Sequence, residues 1–90
     1  MVFEWDEAKS RRALEERGDY AAAVFADPHR LERLNRRRDY GEERRQTVGE
    51  VDGSILFVVY TFRGEAIRII SARRAHDEEE RTYREGKTWE

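Results

Sequence analysis

The sequence predicts an α+β domain in which helices pack on one face of an antiparallel sheet. Three observations support this prediction. Helix-forming runs lie near both ends of the chain, alternating apolar segments lie between residues 44 and 74, and the turn sequences Asp52-Gly53 and Arg63-Gly64 separate those segments. Because 90 residues are the length of one domain, we expect a single domain over residues 1–90.

The N-terminal third is predicted to form a strand followed by two helices. Residues 2–5 alternate apolar and polar side chains, which is typical of a strand. Asp6 is a suitable N-cap for a helix over residues 7–17. Asp19 can cap a second, shorter helix over residues 20–26, which an Asp-Pro pair then ends.

The middle of the chain predicts an edge strand and a three-stranded meander. Residues 31–36 alternate but are too polar for the interior of a sheet, so we expect an edge strand. Asp52-Gly53 favours a type I′ turn and predicts a hairpin of strands 44–51 and 54–62. The second of these strands is apolar on both faces and is expected at the centre of the sheet. A further strand is predicted over residues 65–73.

The last element is predicted to be a helix. Asp77 begins a run with acidic residues in its first turn, where the helix dipole favours negative charge, and Gly86 is expected to end the helix.

Composition excludes several classes of function. Charged residues make up 42% of the chain, yet its net charge is -2, which argues against nonspecific binding of nucleic acid. The positive charge is nevertheless local, since residues 29–45 hold seven cations and four acids and residues 63–74 hold four cations and one acid. The absence of cysteine excludes thiolate chemistry, and no metal-binding or Gly-rich phosphate motif occurs, so we expect no cofactor. The acidic N-terminus and the lack of a long apolar run predict a cytoplasmic protein.

Six segments along nearly the whole chain carry a family resemblance. They are FEWDEAK at 3–9, FADP at 25–28, DYGEER at 39–44, VVYTFRG at 58–64, IRIISARRA at 67–75 and ER-x-Y at 80–83. In this order they resemble the BrnT family of ribonuclease toxins. Two departures stand out: residues 13–18 read Ala-Leu-Glu-Glu-Arg-Gly where relatives usually show Asn-Leu-x-Lys-His-Gly, and the second predicted helix is shorter by a few residues.

The resemblance implies a RelE-like fold and an endoribonuclease toxin of a type II toxin-antitoxin pair. It further implies metal-independent RNA cleavage that stops translation, and a BrnA antitoxin with a ribbon-helix-helix DNA-binding domain. The toxin would then contact DNA only indirectly, through that antitoxin.

Arg68 is the leading candidate for the chemistry of metal-free RNA cleavage. Attack by a 2′-OH on the neighbouring phosphate needs a group for the hydroxyl proton, cations for the developing charge and an acid for the leaving oxygen. Alternation places Ile67 and Ile69 under the helices and Arg68 on the opposite face among apolar neighbours, where a cation needs an anionic partner. That partner is either an RNA phosphate or a strand carboxylate such as Glu50.

The second candidate cation lies at the end of the same strand. Strict alternation places Arg74 on the face of Arg68, whereas the family motif favours Arg73. Because strand ends often contain a bulge, we favour Arg73 slightly and keep both. Arg68 and Arg73 are expected to act as a phosphate clamp and as cations that stabilise the transition state.

The family motifs supply the remaining candidates, each with a structural alternative. Tyr83 is predicted to position RNA or assist proton transfer, or else to pack in the core. Lys9 either acts in catalysis or pairs with Glu4 or Asp6, and Glu43 either acts in catalysis or pairs with Arg45 or Arg68. His29 and His76 lie outside matching motifs and are expected in exposed loops. Candidate RNA-binding residues are Arg44, Arg63 and Arg74.

Two functional hypotheses follow. The first is an endoribonuclease toxin with RNA as substrate and a BrnA-like antitoxin as partner. The alternative is a toxin-derived binding module without catalysis, acting as a co-repressor with a DNA-binding antitoxin. The net charge of -2 and the missing Lys-His pair motivate that alternative.

Overall fold

Five strands form one mixed sheet in the order β1-β5-β4-β3-β2. A computed structural model describes residues 2–5, 21–34 and 43–89 of the chain; the helix predicted over residues 7–17 lies outside these ranges. The strands are β1 (Val2–Trp5), β2 (Leu31–Leu34), β3 (Arg45–Val51), β4 (Ser54–Arg63) and β5 (Ala66–Arg74).

The predicted meander β3-β4-β5 is confirmed. Asp52 and Gly53 join β3 to β4 with φ angles of 50° and 83°, as a type I′ turn requires. β4 lies at the centre of the sheet, as its apolar sequence predicts, and the polar strand β2 lies at an edge.

The position of β1 differs from the sequence prediction. β1 pairs with β5 in parallel, so the sheet is mixed and not purely antiparallel. The turn sequences that reveal the meander carry no information about this pairing, because β1 and β5 are far apart along the chain.

Helical segments pack on both faces of the sheet, which corrects the expectation of a single covered face. On the first face, residues 21–23 are helical and continue into a 3-10 turn, Val24–Ala26. The helix α1 (Asp77–Glu85) lies against the second face and ends at Gly86, as predicted. Within the described ranges, no helix is long and apolar enough to cross a membrane.

The core therefore has two parts, one on each face. The first-face cluster includes Ala21, Val24, Val58, Tyr60, Ile67 and Ile69. The second-face cluster comprises Val48, Ile55 and Phe57, and the partly buried Tyr83 and Trp89 pack against it. Both clusters include residues of β4, which explains why that strand is apolar on both sides.

A bulge in β5 shifts the alternation of its side chains. Val59 of β4 pairs with Ser71, but the next residue, Tyr60, pairs with Ile69, so Ile70 is the extra residue. Ile69 and Ile70 are both buried as a result.

Candidate active site

The bulge places Arg68 and Arg73 on the same face of the sheet. Arg68 pairs with Thr61 and Arg73 pairs with Phe57, and both of these β4 residues lie on the second face. Arg74 pairs with Leu56 and lies on the first face. The sorting by strict alternation is therefore wrong beyond Ile70, because the extra residue reverses the pattern.

Arg68 occupies the middle of a row of three side chains on the second face. Glu4 of β1 and Thr61 of β4 are its direct register partners on either side. Thr61 is buried and its hydroxyl donates to the Glu43 carbonyl at 2.6 Å. Thr61 thus ties β4 to the chain segment that enters β3.

The carboxylate beside Arg68 is Glu4, not Glu50 as the sequence alternative suggested. Glu50 pairs with Ile55, at the other end of the sheet. Glu4 is half-buried, and its Oε2 atom is buried without a hydrogen bond. Among the described residues, the side chain of the half-buried Arg68 makes no hydrogen bond or ion pair. An acid and a cation thus lie side by side without satisfying each other.

Arg73 is engaged with the C-terminal helix. Its Nη1 and Nη2 atoms donate to the two carboxylate oxygens of Glu79 at 2.9 and 3.0 Å. The guanidinium also stacks on Phe57, 4.0 Å from the ring centre. Burial raises the pKa of Glu79, but hydrogen bonds from Arg73 and from the His76 N–H outweigh burial, and the pKa is lowered. The bidentate pair therefore fixes α1 against the end of β5.

Tyr83 joins α1 to the loop before β2. Its hydroxyl donates to Asp27 Oδ2, which also accepts from the Glu50 N–H at 2.8 Å, while Oδ1 accepts from the His29 N–H at 2.8 Å. Burial, the hydrogen bond to Asp27 and nearby negative charge raise the pKa of Tyr83 to about 12. The phenol is consequently neutral near pH 7 and acts as a hydrogen-bond donor.

Asp27 holds its charge because it accepts several hydrogen bonds. Burial raises the pKa of this carboxyl group, but the donors from Glu50, Tyr83 and His29 outweigh burial and lower it. Two elements on opposite faces of the sheet are connected through one carboxylate.

The other predicted site residues are dispersed around the sheet. Glu43 is exposed and pairs with Arg45 at 3.0 Å, as the structural alternative predicted. Arg44 directly precedes β3 and is half-buried. Arg63 and Arg74 are exposed at opposite ends of the meander. Lys9 lies outside the described residues.

A polar cavity of about 350 Å³ lies on the second face beside the Arg73–Glu79 pair. Arg33 of β2 stacks on Trp89 there, 3.9 Å from the ring centre. His76 and His29 are exposed, as predicted. The cavity is lined by Arg33, His76, Glu78, Glu79, Thr82, Thr88 and Trp89.

Sequence reasoning missed Glu4 and Asp27 as residues with specific contacts. Glu4 lies within the FEWDEAK motif, and alternation of β1 already separated it from Phe3, so the signal was present. For Asp27, the sequence predicts only a role in ending the second helix. No local pattern indicated that its carboxylate accepts hydrogen bonds from residues 50 and 83.

Comparison with known families decides the identity. A sequence model described as "Ribonuclease toxin, BrnT, of type II toxin-antitoxin system" matches residues 5–79. The chain belongs to the BrnT family. This BrnT chain is thus a member of a family of type II toxin-antitoxin ribonucleases, as the motifs predicted. No curated protein matches it closely enough to count as a relative.

The residues matched by the BrnT model include Arg68 and its β4 register partner Thr61, the β5 bulge and the Arg73–Glu79 pair. Tyr83 and Trp89 lie beyond the matched residues. In the described part of this BrnT chain, no group of three or more metal-ligating side chains comes together.

Proposed function

We propose that this BrnT chain is an endoribonuclease that cleaves RNA without a metal ion, by attack of a 2′-OH on the adjacent phosphate. The observation that carries the proposal is Arg68: a cation in mid-strand, half-buried, and without an ion pair among the described residues. A guanidinium in this position is expected to meet an anionic ligand, because burying an unpaired charge is costly.

Arg68 is proposed to contact the scissile phosphate and stabilise its developing negative charge. A preorganised cation in a partly desolvated site stabilises a transition state far more than one in bulk water. Planar guanidinium also matches two phosphate oxygens at once. Arginine therefore supplies the positive charge for which other nucleases use a divalent cation.

Arg73 is proposed to contact a different part of the RNA. At about 3.3 Å per residue, the Cα atoms of Arg68 and Arg73 lie ~15 Å apart along β5, too far for a clamp on one phosphate. The pair with Glu79 neutralises much of its charge, so its main contribution is to hold α1 in place. Tyr83, which donates a hydrogen bond to Asp27, is likewise proposed to hold α1 in place.

The remaining predicted residues complete the proposal as contributors to RNA binding. Arg44, Arg63 and Arg74 would attract the RNA backbone, whose binding to basic side chains falls with added salt. Lys9 and Glu43 stay predictions from their motifs. We further propose that the protein acts in the cytoplasm.

The proposed partner is a BrnA-like antitoxin with a ribbon-helix-helix domain. The arginine-rich segments 29–45 and 63–74 would attract an acidic segment of the antitoxin. This segment would inhibit the enzyme by covering its RNA-binding surface. The antitoxin's other domain would contact operator DNA.

Cleavage of message by purified protein tests the proposal. Free and ribosome-bound mRNA should be cut in buffer containing EDTA. Arg68→Ala should lower kcat/KM by about 10²–10³, and Arg68→Lys less, because one charge is kept without the bidentate geometry. Arg84→Ala is the matched control, since it removes the same charge from an exposed pair on α1.

Three results would contradict the proposal. EDTA that abolishes cleavage would refute metal independence. Equal loss of activity and of the thermal transition in Arg68→Ala would assign Arg68 a structural role. A wild-type protein that cleaves no message, arrests no growth and still binds its antitoxin would favour the non-catalytic module.

A further inference from the structure

Glu4 is the register partner of Arg68 on β1, and its carboxylate can accept or donate a proton. The two residues pair directly across the parallel β1–β5 ladder, so their side chains leave the sheet on the same face. Adjacent strands lie about 4.8 Å apart, which puts a glutamate and an arginine within easy reach of a salt bridge. No such salt bridge or hydrogen bond is made between these two described residues.

The state of Glu4 is unusual for a structural carboxylate. Its Oε2 atom is buried and accepts no hydrogen bond. A buried polar atom without a partner costs about 1–3 kcal/mol, and more when it is charged, so native proteins retain few of them. Asp27 and Glu79 in the same protein show the usual solution, with both oxygens of each carboxylate satisfied.

We propose that Glu4 is the general base of the ribonuclease reaction and that Glu4 and Arg68 together form its catalytic centre on a single-stranded RNA phosphodiester. The inference rests on the ribonuclease activity proposed above. It goes further by assigning the proton acceptor to a residue of β1.

In this step, the carboxylate of the half-buried Glu4 takes the proton of the 2′-OH as the 2′ oxygen forms a bond to phosphorus. The bond between phosphorus and the 5′ oxygen breaks, and that oxygen takes a proton from water. Glu4 then returns its proton to solvent, so the net transfer is one proton from the 2′ to the 5′ oxygen. The products are a 2′,3′-cyclic phosphate and a 5′-hydroxyl end. During the reaction, the guanidinium of Arg68 stabilises the negative charge on the equatorial oxygens of the phosphate.

The register explains why these two residues suit the reaction. The base and the cation stand on neighbouring strands of a rigid sheet, and Thr61 on the far side of Arg68 is buried and fixed by its hydrogen bond. A base and a cation held side by side can meet the sugar hydroxyl and the phosphate of one nucleotide simultaneously.

The test compares Glu4→Gln with Glu65→Gln, which makes the same charge change at an exposed turn residue three positions before Arg68. We expect Glu4→Gln to lower kcat on message by ~100-fold or more, the usual size of general-base catalysis. Binding of 2′-O-methyl RNA, which cannot be cleaved, should stay within about twofold of wild type. Glu65→Gln should match wild type in both measurements.

The pH profile separates a base from a structural residue. A general base gives the wild-type rate a limb that falls on the acid side, and this limb should be absent in the residual activity of Glu4→Gln. The thermal transition of Glu4→Gln should be unchanged or higher, because the negative charge is removed from a group with a buried, unpartnered polar atom.

Should Glu4→Gln fail to fold, Glu4→Asp provides the decision. This substitution keeps a carboxylate but shortens the side chain by one methylene. The rate of cleavage should therefore fall at least tenfold, while the decline of the rate at acid pH remains. Wild-type rate in either variant, or a parallel loss of RNA binding and rate, overturns the role of Glu4 and leaves the ribonuclease proposal intact. A wild-type protein that cleaves no message overturns both.

Discussion

Replacing Tyr83 by phenylalanine isolates the hydrogen bond that joins α1 to the loop before β2. The ring would remain against the second-face cluster, and only the hydroxyl would be lost. Asp27 Oδ2 would keep its bond from the Glu50 N–H and lose its bond from Tyr83. The change therefore removes one donor from a charged acceptor without creating a large cavity.

The expected loss of stability follows from the kind of bond. Hydrogen bonds to charged groups contribute about 1.5–3 kcal/mol, and the partial exposure of Tyr83 favours the lower end, near 1.5–2 kcal/mol. In a domain of this length, that change lowers Tm by about 6–15 °C.

The difference between wild type and Tyr83→Phe should depend on pH. Since folding raises the pKa of Tyr83 to about 12, its contribution is fully present below the pKa of an unfolded tyrosine, near 10. The contribution is lost as the pH rises from there through the folded value. At the acid end, the lowered pKa of Asp27 means that its contribution is present above about pH 4 and is lost as the pH falls further.

Urea and thermal unfolding followed by far-UV circular dichroism would measure these effects. Thr82→Ala is the control, because it removes a hydroxyl of the same helix that bonds only to the helix's own Glu78 carbonyl among the described contacts. Its stability should change by less than about 0.5 kcal/mol. Equal stability of Tyr83→Phe and wild type across about pH 6–9 would refute this expectation. A loss of RNA cleavage of about 100-fold without loss of stability would show that the hydroxyl acts in catalysis.

Three further predictions concern other parts of the molecule. Arg73→Ala leaves Glu79 without its bidentate partner and should destabilise the protein by about 1–3 kcal/mol. Glu79→Gln should lower the stability less, and equal unfolding midpoints for Arg73→Ala and wild type would contradict this expectation. Gly49→Ala would bring a Cβ within 2.9 Å of Val24 Cγ1 and should cost about 1–3 kcal/mol, an expectation that unchanged denaturation curves would exclude. Association with the antitoxin should slow steeply with added salt in stopped-flow experiments, because charge steers the encounter; a flat rate would point to apolar docking.

Local sequence signals predicted the part of the fold that local physics determines. The type I′ turn at Asp52-Gly53, the central apolar strand β4 and the helix end at Gly86 each depend on a few adjacent residues. The parallel pairing of β1 depends on contacts between distant segments, so no short pattern revealed it.

The candidate site divides in the same way. Alternation correctly placed Arg68 opposite the helix-covered Ile67 and Ile69. It failed beyond Ile70, because two neighbouring isoleucines fit a buried strand with or without a bulge. Glu4 became noticeable only when the register set it beside Arg68.

The parallel pairing of β1 with β5 also bears on when the proposed catalytic centre can form during synthesis. The strand that carries Glu4 is synthesised before its partner strand, whose paired residues follow more than sixty positions later. At about 5–20 residues per second, several seconds of synthesis separate the two strands. The nascent chain cannot pair Glu4 with Arg68 during that interval, so the proposed catalytic centre would be incomplete until β5 has emerged.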